Sequence, residues 1–274
     1  MQTAILIVAL AIAGLVGVMG AQWLNGPRGG LGPTLLQANN PIFASISVMN
    51  VMALATILGI IVGQVSTAAS GMFVLGFALF ALAMRTQGVS EFIFSEGDIS
   101  ILMVETLGMS LVILLSSIIM FRICGPLKDV PLDKNESWDP PFSLQGIAMT
   151  LLISLSILPV IWVVAATPSK GQVIGAAVVG GIVVACLARK FTPHLQPIML
   201  FAAPTAIAAV GYATANFMGV SDIALAKNTI SPLIFPMPLE YAAGSLMGIP
   251  IGLSWGTSLA KKIGPETWLS MPKV

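Results

Sequence analysis

Long apolar runs alternate with short polar breaks along this chain, and eight of the runs approach the length of a membrane-crossing helix. They cover residues 3–20, 42–63, 67–84, 99–121, 144–166, 173–187, 197–218 and 239–259. About 20 apolar residues in α-helix span the roughly 30 Å of bilayer hydrocarbon. The third and sixth runs are short by this measure and predict tilted or re-entrant pieces. Pro159, Pro204 and Pro250 lie inside the fifth, seventh and eighth runs. Each predicts a kink, because proline removes a backbone hydrogen bond. The alternating segments of about ten residues that mark a β-barrel are absent. The predicted fold is therefore all-α: a polytopic membrane helix bundle of about eight transmembrane helices, in a single domain spanning 1–274.

The longest polar break, 122–143, carries Asp129, Asp133, Glu136 and Asp139 among basic residues and prolines, and reads as a linker or cap. It divides the chain into two four-helix halves. The first run has no preceding Lys or Arg and reads as a retained helix, with a signal sequence as the alternative. With eight crossings, one face carries four basic residues: Arg28, Arg85, Lys170 and Lys227. The other carries eight: Arg122, Lys128, Lys134, Arg189, Lys190, Lys261, Lys262 and Lys273. The positive-inside bias places that second face, and both termini, in the cytoplasm, in a cell or inner membrane. The sequon at Asn135 then falls inside and is expected to stay unmodified.

The two halves echo one another. Ser90-Glu-Phe-Ile-Phe precedes the fourth run and Ser231-Pro-Leu-Ile-Phe the eighth; Glu105 and Glu240 are each followed, five and six residues on, by Ser-Leu. A parallel duplication of the kind some transporters carry explains this; so does coincidence in apolar sequence.

Composition narrows the function. The chain is 57% hydrophobic and 8% charged, whereas about a quarter of a soluble domain is charged. A net charge of +1 gives no electrostatic case for nucleic acid. Cys124 and Cys186 fit no metal or redox spacing and read as small apolar thiols, a disulfide being the alternative. His194 is the single histidine, so HExxH and multi-histidine metal sites are excluded. No GxGxxG, P-loop or GxSxG stands in the right context. The sequence thus argues against an enzyme and calls for no cofactor or metal.

Acids at membrane depth carry the most information, since burying a charge there costs about 2.5–3.5 kcal/mol even on insertion scales. Two qualify: Glu105, about two turns into the fourth run, and Glu240, at the head of the eighth. They read as carboxylates that bind a cation or exchange a proton, or else as caps on helix N-termini. Asn50 and Gln64 in the second run are further candidate ligands, with interhelical hydrogen bonding as the plainer role. Gly244, Gly248, Gly252 and Gly256 follow Glu240 at intervals of four, which in a helix makes a groove without side chains. Glycine costs up to about 1 kcal/mol against alanine in a helix, so the row predicts close approach of another helix. Gly59 and Gly63 in the second run are the expected partner surface. The alternative for the row is a backbone-lined path for a small solute.

Two functions follow. The first is a small-solute or ion transporter, or translocating subunit, using Glu105 and Glu240. The second is a non-catalytic structural or anchor subunit of a larger membrane complex, docking through its glycine faces. The expected partners are lipids, a second copy of the chain or other membrane subunits.

Overall fold

The computed structural model describes residues 2–26, 29–130, 143–227 and 229–263, with side chains described as far as Gly256. Arg28, Lys273 and much of the central linker, including Lys134, Asp133, Asn135, Glu136 and Asp139, lie outside the described residues. The described secondary structure is helical apart from an isolated bridge between Asn25 and Leu31.

The helices are α1 (Gln2–Gly20), α2 (Pro41–Val65), α3 (Ala68–Ala83), the short α4 (Val89–Phe94) and α5 (Ile99–Cys124). After the linker come α6 (Leu144–Ser154), α7 (Ile157–Val164), α8 (Lys170–Phe191), α9 (Ala203–Met218), the short α10 (Asp222–Ala226) and α11 (Pro238–Ile263). Polar residues at the starts fix the boundaries: Asn40, Thr67, Asp98 and Ser143 each accept a backbone N–H of their helix's first turn.

Six stretches are long and apolar enough to cross a bilayer: Gln2–Trp23, Pro41–Val65, Ile99–Cys124, Leu144–Val164, Lys170–Phe191 and Met199–Met218. The chain is thus a multi-pass helical membrane protein by length and composition. Six of the eight predicted runs coincide with these stretches, and the other two do not reach that length and apolarity among the described residues. Helix α3 has only 16 residues, and α11, diluted by glycine, serine and Glu240, is not among the six. The sixth predicted run is not short, because its helix extends over 22 residues, from Lys170 to Phe191. The fifth run is broken at Leu155 and Ser156, where the ring of Pro159 opposes the carbonyl four residues back. Pro204 does not kink α9; it stands in the first turn, where its missing N–H costs nothing.

The helices sort into an exposed apolar ring around a buried centre. On α5, Val104, Leu107, Leu111, Leu115 and Ile119 are exposed, an apolar stripe at three-to-four spacing. The opposite face buries Leu102, Glu105, Met109 and Ile113. The centre is α11, whose Leu239, Tyr241, Ala242, Ala243, Leu246 and Ile249 are all buried. It packs most extensively on α8 and next on α3, while α9 packs on α5.

The bundle's two ends are defined by contacts. At one end the Gln2 side-chain amide donates to the Val65 carbonyl, 3.0 Å; Gly63 lies against Cys124, and Asp129 pairs with Arg189 at 2.7 Å. At the other end Lys170 reaches the Ala83 carbonyl, 2.8 Å. The halves run in parallel order: α3 and α9 have 16 residues each, α5 and α11 have 26, and a short helix lies between the members of each pair.

Not every glycine of α8 is spatially required. A methyl group at Gly175 would meet nothing within 4 Å. The Gly175→Ala variant is therefore expected to gain about 0.5–1 kcal/mol from helix propensity, read as a small rise in Tm of the purified protein.

Candidate functional site

Glu105 lies two turns into α5, on the face opposite the lipid stripe, and is 5% exposed. The segment 31–40 folds back into the bundle to meet it. Gly32 and Pro33 break regular structure there, and the Thr34 hydroxyl accepts the Gln37 N–H at 3.1 Å, closing a turn. That turn leaves two amides aimed at the carboxylate: Leu35 N–H donates to Oε2 at 2.9 Å and Leu36 N–H at 3.3 Å. Thr34, Leu35 and Ala38 are buried, so irregular backbone lies inside protein, a setting in which a membrane tolerates it. The second oxygen, Oε1, is buried without a hydrogen-bond partner, and among the described residues no Lys or Arg pairs with Glu105.

Glu240, 1% exposed, is satisfied differently. Its Oε2 accepts the Met237 N–H at 2.8 Å, closing the N-terminus of α11 in the manner of a capping box, with Pro238 at the first helical position. Its Oε1 pairs with Lys170 at 2.6 Å. Lys170 also donates to the Ala83 carbonyl and, at 3.1 Å, to Thr86 Oγ1, joining the starts of α8 and α11 to the end of α3. Glu240 is thus a cap and an ion-pair partner at once.

The chain's only two tyrosines, Tyr212 and Tyr241, are buried edge-to-face at 5.8 Å. Tyr212 donates to the Pro236 carbonyl at 2.6 Å and Tyr241 to that of Leu233 at 3.3 Å. These bonds hold the proline-rich segment 231–238 inside the bundle.

The other expected site residues do not join this centre. Asn50 and Gln64 are exposed on the outer face of α2, because a membrane helix that is apolar all round gives no sign of which face a lone amide will occupy. The glycine rows also differ from expectation in their partners. Gly244, Gly248, Gly252 and Gly256 lie on α8: a Cβ at Gly248 would collide with the Val178 carbonyl, and one at Gly244 would sit 2.9 Å from the Ile174 carbonyl. At Gly256 it would sit 2.8 Å from Arg189 Cβ. Gly59 lies instead on Gly71 of α3 and Met120 of α5, and Gly63 on Cys124. The two rows never meet, since α3 stands between α2 and α11.

Beside Glu105, at the same end of the bundle, is a polar pocket of about 170 Å³ lined by Gly26, Gly30, Gly32, Gln37, Gln87, Glu91 and Ser95, among others. Gln37 Oε1 is buried without a hydrogen-bond partner. Asp98, at the mouth of α5, is held below the usual carboxylate range, first by the Ser100 hydroxyl and then by its backbone N–H. Lys170, Gln37 and the tyrosine pair were not singled out from sequence. Lys170 reads there as a loop charge, and only its place next to the first turn of a span hints at a buried partner. Cys124 and Cys186 are free thiols, and among the described residues no three His, Cys, Asp or Glu side chains come together. Compared with known protein families, curated proteins and solved structures, the chain has no significant match.

Proposed function

We propose that this chain is a transporter, or translocating subunit, for a small solute or ion, and that Glu105 is its exchanging carboxylate. The observation that carries the reading is the buried Oε1 of Glu105, which has neither a hydrogen bond nor a cation beside it among the described residues. A buried carboxylate without a counter-charge is costly. It is relieved by binding a proton or a cation, and that is the chemistry a coupling site performs. A capping role does not account for it, because its amide donors come from a segment 69 and 70 positions away rather than from its own helix end. Glu240, neutralised by Lys170, serves structure in this reading, so the exchanging pair expected from sequence reduces to one residue. The glycine row of α11, which the docking-subunit alternative would use, is covered by α8. We take α3 and α11 as two further crossings, giving eight. The end that carries Arg122, Arg189, the start of α1 and the end of α11 then faces the cytoplasm.

The test is flux in proteoliposomes, with uptake of labelled methylammonium and proton movement read by an entrapped dye. The Glu105→Gln variant keeps an acceptor for Leu35 and Leu36 and fills the unpaired position with a neutral amide. It is expected to assemble normally and lose at least tenfold of the flux. Unchanged flux contradicts the proposal.

A further inference from the structure

Glu105 and Glu240 stand 135 positions apart, and the same interval relates other parts of the two halves. It carries α3, residues 68–83, onto α9, residues 203–218, and within them Gly76-Phe77-Ala78 onto Gly211-Tyr212-Ala213. It also carries Ser110-Leu111 of α5 onto Ser245-Leu246 of α11. The packing is reciprocal in the same sense, α11 lying against α3 as α5 lies against α9. A tandem duplication whose copies pack crosswise accounts for all of this, as in the parallel repeats of some transporters.

The two acids are then equivalents, and their surroundings match up to the last contact. Each gives one oxygen to backbone amides, Glu240 Oε2 to Met237 and Glu105 Oε2 to Leu35 and Leu36. Each also takes a donor from 70 positions earlier, at the approach to the second long helix of its half. For Glu240 that donor is the Lys170 ammonium; for Glu105 it is only the Leu35 backbone N–H. Leucine stands where the second copy has lysine, so Glu105 Oε1 lacks the charge that Glu240 Oε1 receives.

A buried carboxylate must be neutralised by some other means. Among the elements packed on α5, helices α2 and α3 and the 31–40 segment carry no titratable side chain. Helix α9 carries Tyr212, and the first half of α11 carries Glu240 and Tyr241. These three already have partners, in the Pro236 carbonyl, Lys170 and the Leu233 carbonyl. On α5 itself, Asp98 is exposed at the helix start. The Thr106 and Ser110 hydroxyls donate to the carbonyls of Leu102, Met103 and Ala202. A metal ion needs several oxygen ligands around it. Every hydrogen bond the structure gives this carboxylate is instead donated by an N–H, and no three metal-ligating side chains gather among the described residues. A proton needs neither a ligand shell nor a cavity.

We propose that the ion exchanged at Glu105 is a proton, bound at Oε1, and that Glu240 is the same site locked in the second copy by Lys170. The proton comes from water and returns to water, converting carboxylate to carboxylic acid and back. The exchange rests on the transport reading; the presence of the proton on Glu105 does not.

The experiment is infrared spectroscopy of the full chain in ether-linked lipid, which has no ester carbonyl to mask an acid band, at neutral pH and after a step to alkaline pH. The wild type is expected to show a protonated-carboxyl band that disappears on the alkaline step. Replacing potassium chloride by sodium chloride at constant pH is expected to leave it in place. Glu105→Gln is expected to lose the band. Lys170→Met, which takes the ammonium from Glu240, is expected to add a second one, lost again in Lys170→Met/Glu240→Gln. The inference is overturned if the wild type shows no such band, if the band survives in Glu105→Gln, if sodium removes it, or if Lys170→Met adds nothing. Should Glu105→Gln fail to fold, Glu105→Asp decides: a band shifted in frequency supports the assignment, and an unshifted one overturns it. If the bands follow this pattern while Glu105→Gln still carries full flux, the transport reading falls and the proton on Glu105 stands.

Discussion

The Gly248→Leu variant is expected to lose about 3 kcal/mol of stability, a fall of roughly 6–12 °C in Tm for a chain of this size. The first added atom would meet the Val178 carbonyl and lie 3.0 Å from the Ile182 nitrogen. Both are backbone atoms of α8 and cannot swing aside as a side-chain tip could. The two helices must separate, and with them the most extensive packing in the bundle. Neighbouring positions repeat the constraint: a Cβ at Gly252 would lie 2.8 Å from Ala185 Cβ, and one at Gly181 on the facing helix 2.9 Å from the Ser245 carbonyl. Thermal unfolding in detergent, followed by fluorescence-detected size exclusion, measures the effect. An unshifted melting curve would show that α8 and α11 are not in backbone contact.

The second large effect is expected from Lys170→Met. It leaves Glu240, 1% exposed, as a buried carboxylate without its cation, and breaking such a pair from one side costs about 3–5 kcal/mol. It also removes the donors to the Ala83 carbonyl and Thr86, loosening the end of α3. Removing the charge as well restores much of the loss: the double variant Lys170→Met/Glu240→Gln is expected to be more stable than Lys170→Met alone. Glu240→Gln by itself is milder, because Lys170 is 21% exposed and keeps its other two acceptors. A double-mutant cycle on Tm measures the coupling directly. Equal losses in the single and double variants would show that the ion pair does not hold these helices.

The long helices were legible in the sequence because a membrane demands long apolar runs; the short α4 and α10 were not, and the fifth run proved to be two helices, α6 and α7. What the runs failed to show was rank. Helix α11 reads like the other spans, yet glycine and serine thin its apolarity because it faces protein rather than lipid. The glycine row announced a close neighbour without naming it, since a bare groove fits any helix with small residues or open backbone. That neighbour proved to be α8, through Ile174, Val178 and Ile182. Glu105 stood out as an acid inside a span. Its donors did not, because Leu35 and Leu36 contribute backbone amides, and a backbone leaves no trace in residue identity. Asn50 and Gln64 lie on the exposed face of α2 for the converse reason: they are polar by identity, but nothing in an all-apolar helix fixes the face on which they lie.

The central claim, that Glu105 exchanges its bound ion, is tested most directly by infrared difference spectroscopy of the protein in lipid, with and without methylammonium. The account predicts a change in the carboxyl region that is present in the wild type and absent from Glu105→Gln. A wild-type spectrum without such a change, or one that persists in Glu105→Gln, would contradict it.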